Sequence, residues 1–154
     1  MRLAWLIPLL LLPAAALACF GTELRVGVGK ERPDALYSYA LGYFVEEKTG
    51  IAPWFIEVED VEKAFAEGKI DVKILPLAAP APKGAVSMAA GDAPSLGEAV
   101  IWLRPDIKED LRFTTLERAL KILGGFFSSP GMAAAAASVE DPKKAARKAV
   151  IDAE

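Results

Sequence analysis

Apolar and polar positions along this chain mark out its elements before any side-chain chemistry is considered. Leu24-Arg25-Val26-Gly27-Val28 alternates and runs into glycine, the pattern of a strand followed by a turn. Lys30 to Asp34 is polar. A helix is then predicted from Pro33 or Asp34 to Lys48, with Leu36, Ala40, Leu41, Phe44 and Val45 on one face, Glu46 and Glu47 on the other, and Gly50 as its stop. Trp54 to Val58 reads as a second strand. Asp60 to Glu67 reads as a short helix with Val61, Ala64 and Phe65 apolar and Gly68 ending it, and Ile70 to Leu75 as a third strand closed by Pro76. Strands alternating with amphipathic helices imply parallel pairing through right-handed crossovers.

The pattern then weakens. Pro76, Pro80, Pro82 and Pro94 lie among Ala, Gly and Ser, a composition that predicts a linker or long loop over 79–97. Ala99 to Leu103 predicts a buried strand. Thr114 or Thr115 caps a predicted helix through Leu123, with Leu116, Leu120 and Leu123 on one side and Gly124-Gly125 as its end. After the break at Ser128 to Gly131 comes an alanine run, 133–137, and a last helix is predicted from Lys143 to Asp152. The domain reading is therefore a tether over 19–23, a βαβαβ half over 24–78, the 79–97 connection, and a returning strand with C-terminal helices over 98–154.

The opening eighteen residues carry one cation, Arg2, an apolar run from Leu3 to Ala18 broken by Pro8 and Pro13, and a small-residue exit at Ala16-Leu17-Ala18. These are the parts of a secretory signal over 1–18. The run is short of the ~20 residues that a membrane-spanning helix needs. The next residue, Cys19, is the chain's one cysteine. A lone thiol in an exported protein has no internal disulfide partner, and its place directly after the exit resembles the lipobox of bacterial lipoproteins. The expectation is an acylated Cys19 that holds the protein at a membrane surface in the periplasm or cell envelope; the plainer alternative is an incidental cysteine beside an ordinary cleavage site.

Composition narrows the chemistry. Without Arg2, the chain after residue 18 carries 17 cations against 21 acids, and a mildly acidic domain without a basic block is a poor nucleic-acid binder. There is no His, Asn or Gln in the sequence. With one cysteine and no histidine, the usual zinc and copper sites and Ser-His or Cys-His catalysis are excluded, and no metal or cofactor is expected. The missing amides also fit a thermophilic composition. Gly27-Val28-Gly29-Lys30 lacks the spacer and the hydroxyl residue of a phosphate-binding loop.

Leu24 to Leu75 resembles the opening of the periplasmic solute-binding proteins of ABC importers, most closely the type II branch that binds phosphonates, glycine betaine and similar solutes. The resemblance rests on the strand 24–28, on the helix ending Phe44-Val45-Glu46-Glu47-Lys48-Thr49-Gly50, and on the unit from Val61 to Val72. It implies a three-layer α/β lobe with a mostly parallel sheet and C-terminal helices. It also implies a small-molecule solute and an ABC permease or other envelope protein as partners. Family members bind solute between two lobes, and this chain reads as a single-lobed or truncated relative. Its function is then non-covalent solute capture for an importer, without enzymatic activity. The alternative is an interaction lipoprotein that keeps one lobe and binds a protein partner or its own copy as a homodimer.

Ligands of open α/β sheets sit outside the carboxyl ends of the strands. That rule points to Gly29 to Asp34, Glu59-Asp60 and Leu75-Pro76, and gives Lys30, Arg32, Tyr37 and Asp60 as candidate ligand-binding residues, with a solvated polar turn as the alternative. Gly27 and Gly29 read as turn glycines first and ligand-approach glycines second. Tyr39 and Tyr43, four apart on the helix, form either a partner surface or an aromatic wall for a cation. Trp54 and Trp102 are expected to fill core. The acidic stretch Asp106 to Asp110 lacks the glycine and spacing of a calcium loop.

Overall fold

The computed structural model describes residues 22–153; the signal 1–18 and Cys19 lie outside the described residues. β1 (Glu23–Val28), α1 (Arg32–Thr49), β2 (Ala52–Glu57), α2 (Val61–Ala66) and β3 (Val72–Pro76) follow one another as the periodicity predicts. They are followed by a hairpin of β4 (Val86–Ala93) and β5 (Gly97–Leu103). Then come α3 (Pro105–Glu109), a 3₁₀ turn (Leu111–Phe113), α4 (Leu116–Phe127), α5 (Pro130–Ala137) and α6 (Pro142–Ile151).

The five strands form one sheet in the order β2-β1-β3-β5-β4. β1 is parallel to β2 and to β3, whereas β5 is antiparallel to both β3 and β4. Four strands thus point one way and β5 the other, in a mixed α/β domain.

The expected linker over 79–97 is corrected by β4, which pairs with β5 from Val86↔Leu103 to Ala93↔Gly97. A register shift between Ala89 and Gly91 marks a bulge, and Gly91 supplies the φ of +76° found there. α4 also differs, because it runs through Gly124-Gly125 to Phe127 instead of ending there. A Cβ on Gly124 would sit 2.9 Å from the Ala90 carbonyl oxygen, so this glycine lets the helix lie directly on the bulged strand. Thr115 takes the N-cap position without a side-chain cap bond, and Asp106 falls in α3 instead of an acidic loop.

The two sheet faces are covered unequally. α1, α4, α5 and α6 bury the main core against Leu24, Val26, Val72, Ile74, Ile101 and Leu103. On the opposite face α2 covers a smaller cluster, in which Ala64, Phe65 and Ile70 meet Ile56, Val58 and Trp102. Strand alternation sets this division, since Val26 and Val72 point to one side while Gly27 and Lys73 point to the other. Trp54 departs from the core role expected of it and is 57% exposed on the edge strand β2.

α1 is the hub of the main layer. Gly42 provides a notch for Phe55, whose ring lies 2.5 Å from where a Cβ would stand. Tyr39 and Tyr43 flank that ring edge-on, with centroids at 4.7 and 5.2 Å.

Candidate functional site

β1, β2 and the β3 connection end at one rim of the sheet, where the crevice rule looks for ligands. Lys30 and Glu59 form an exposed ion pair across this rim. Next to them Asp60 caps α2, its carboxylate accepting from the Lys63 N–H at 2.9 Å. The structure thus brings Lys30 and Asp60 to one lip.

The centre of the rim is Asp34, a residue that composition and spacing did not single out. It sits in the first turn of α1, where the helix dipole favours a carboxylate. Its Oδ1 accepts the Gly29 N–H at 3.0 Å and the Ser38 hydroxyl at 3.1 Å, and ion-pairs with the Lys73 ammonium. Lys73 and Ser38 are fully buried.

The Lys73 stem crosses β1 at Gly27. A Cβ there would lie 3.1 Å from Lys73 Cδ and 2.9 Å from Ile70 Cδ1, and one on Gly29 would fall 2.3 Å from Asp34 Oδ2. Neither glycine has a positive φ. The reading of turn glycines is therefore corrected: both serve close approach, of one internal ion pair to the strand. Burial pulls the Lys73 amine below the usual lysine range, and the adjacent Asp34 charge and hydrogen bond oppose that pull. Sequence carried a signal for this cluster. Lys73 is a charged position inside an otherwise apolar strand, beside a neighbour with glycines two apart.

In an open cleft, Ser38 Oγ at 3.3 Å from Lys73 Nζ would be a hydroxyl beside a potential base. Here both groups are sealed from solvent, so a substrate has no approach to them. Charge compensation is what the arrangement achieves.

The other two candidates are turned away from the lip. Arg32 reaches the α5–α6 connection, donating to the Ser138 carbonyl at 2.6 Å and to the Glu140 carbonyl. Tyr37 is buried in the main core, where its hydroxyl donates to the Pro94 carbonyl at 2.6 Å and its ring meets Phe127 edge-on. Burial pushes its phenol up to about 12. Both are corrected from rim ligands to internal ties, because each polar end is held by a backbone carbonyl from the C-terminal half. Lysine and arginine of α6 meet the tyrosine wall: Lys143 lies over Tyr39 and Phe55, and Arg147 over Tyr43.

A wide depression of about 510 Å³ lies at the opposite end, beside the start of β1, and is lined by Thr22, Arg25, Trp54, Asp71, Arg104 and Arg112 among others. Asp71 is buried and accepts from the Arg25 backbone N–H at 2.9 Å and from its guanidinium at 2.7 and 3.1 Å. Arg104 pairs with Asp106 and Arg112 with Asp110. These hydrogen bonds hold the carboxyls of Asp106 and Asp110 below the usual carboxylate range. Each guanidinium already has its carboxylate, so the depression lacks the uncompensated positive charge of an anion site.

Among the described residues there is no cluster of metal-ligating side chains, and no helix long and apolar enough to cross a membrane. Comparison with known proteins returns no match to a family model, a curated protein or a solved structure.

Proposed function

We propose that this chain is an exported, binding-protein-like lobe of the type II kind that acts by non-covalent contact, presenting its strand-end rim to a protein partner of the cell envelope. The observation that carries the reading is the Lys73–Asp34 pair. The most buried charges at the rim neutralise each other, and the Ser38 hydroxyl bridges them, accepting from Lys73 and donating to Asp34. What is left for recognition is the exposed lip of Lys30, Glu59 and Asp60, a surface suited to polar protein contact. Export, the periplasm or envelope as location, and the lipid anchor at Cys19 belong to the same proposal.

Solute capture for an ABC importer is the second reading. It is supported by the sheet order, in which parallel strands open at one rim, and by Lys30 and Asp60 sharing a lip there.

Thermal unfolding against inorganic anions, amino acids and quaternary amines separates the two. The interaction reading expects no rise in melting temperature with any solute. A true ligand at about a hundred times its Kd adds about 2.7 kcal/mol. A rise that grows with solute concentration would overturn the interaction reading in favour of solute capture.

A further inference from the structure

The end of the sheet where β1 begins is the end from which an anchor at Cys19 would leave. Cys19 precedes Thr22 by three residues, and a chain of that length spans roughly 10 Å at most. Thr22 is fixed to the domain, its carbonyl accepting from the Ala52 N–H at 3.2 Å. A bilayer holding an acylated Cys19 therefore lies within about one helix diameter of this end.

That end is also where two large apolar side chains stand in solvent. Trp54 is 57% exposed at the start of β2, in register beside Arg25, and Leu111 is 84% exposed on the 3₁₀ turn between Asp110 and Arg112. Trp54 lines the depression that Thr22 itself lines, and Leu111 stands between two of its lining residues, Asp110 and Arg112. The ion pairs Arg25–Asp71, Arg104–Asp106 and Arg112–Asp110 leave the surroundings close to neutral. A tryptophan and a leucine amid paired charges match the headgroup zone of a bilayer, where amphipathic aromatics concentrate.

We infer that the Trp54–Leu111 end of the domain docks on the lipid surface as a second membrane contact, seating the strand-end rim on the side away from the bilayer. The inference rests on the lipid-anchor reading. Because each guanidinium there is paired and Glu23 adds only a negative charge, the contact is apolar and gains nothing from anionic lipid or low salt.

The test uses the full chain, processed in a lipoprotein-competent bacterium, purified and reconstituted into phosphatidylcholine vesicles with acyl chains brominated near the headgroup. The Trp54→Phe chain, in which Trp102 reports alone, is the control. At least half of the Trp54 emission should be quenched, equally in phosphatidylglycerol vesicles and at high salt, and Leu111→Asp should reduce the quenching severalfold. Mass spectrometry of the N-terminus reads the anchor separately, and an unmodified Cys19 would remove the premise itself. An acylated protein whose Trp54 is unquenched would overturn the docking. So would quenching confined to anionic vesicles, or Trp54 shielding that appears without lipid as protein concentration rises, which would assign the patch to a second copy.

Discussion

The Arg147 guanidinium lies 4.7 Å from the centroid of the Tyr43 ring, and the same group pairs with Glu46 at 2.7 Å. With Lys143 over Tyr39 and Phe55, this makes a ladder that fastens α6 to α1 and the edge strand β2. The cations that the tyrosine wall receives come from the chain's own last helix.

Arg147→Ala should therefore loosen the C-terminal helix. A half-exposed cation–π contact is worth about 0.5–1 kcal/mol and an exposed ion pair less, so a loss of about 1 kcal/mol is expected in denaturant unfolding. Arg147→Lys should recover part of it. An Arg147→Ala chain with unchanged stability and unchanged amide exchange in α6 would remove the ladder from the account.

Phe55 in the Gly42 notch sets two effects against each other. Alanine at 42 gains up to about 1 kcal/mol of helix propensity, but its Cβ meets a ring boxed in by Tyr39 and Tyr43, and overpacking costs about 1–3 kcal/mol. Gly42→Ala should lower stability, and adding Phe55→Leu should recover part of the loss, the rest being held by Pro53, whose Cβ lies 2.9 Å from the new methyl position. Equilibrium unfolding of the single and double variants decides.

The Lys73–Asp34 pair should be unforgiving of half-removal. Asp34→Ala strands a buried ammonium and should cost about 3–5 kcal/mol, whereas Asp34→Ala with Lys73→Met should cost markedly less. A double variant as damaged as Asp34→Ala alone would show that packing over Gly27, and not charge, governs the rim.

Tyr37 gives the pH prediction. Its folded phenol is raised from 10 to about 12, so the folded state favours the neutral form. Stability of roughly 2–3 kcal/mol is fully present below pH 10 and is lost as pH climbs from 10 through about 12. Tyr37→Phe should be less stable at neutral pH, leaving the Pro94 carbonyl without its donor, and should lose less on going alkaline. Chemical denaturation of both chains across that range checks the crossing.

Ser95 is the one described non-glycine residue with positive φ, at +71°, in the turn where the Leu96 N–H bonds the Ala93 carbonyl. Pro94 followed by a positive φ is the type II arrangement, which prefers glycine at this position. Ser95→Gly should raise stability by about 0.5–1 kcal/mol in thermal or denaturant melts, the relief of strain outweighing the added freedom of the unfolded chain.

The N-terminal half was legible because each element there buries a periodic face, as Leu36, Leu41 and Phe44 do on α1 and Val26 and Ile74 do in the sheet. β4 was not, because Val86 to Ala93 is an edge strand of small residues whose form is set by its pairing with β5 and its contact with α4. The same contact explains the glycines inside α4, which local propensity reads as a stop. At the rim, the crevice rule placed Lys30 and Asp60 at the strand ends but gave no sign of what Arg32 and Tyr37 would meet. Their partners, Ser138, Glu140 and Pro94, lie more than fifty residues away along the chain.

β3 shares a single registered pair with β1, Val26↔Val72, but five with β5, from Val72↔Leu103 to Pro76↔Ala99. During synthesis, then, the first seventy-six residues emerge with their third strand barely seated and with the α1 face still bare of α4 and α6. Closing the sheet waits for Leu103, and sealing the core waits for α6, so the described domain becomes a folded body only once residues through Ile151 are in place.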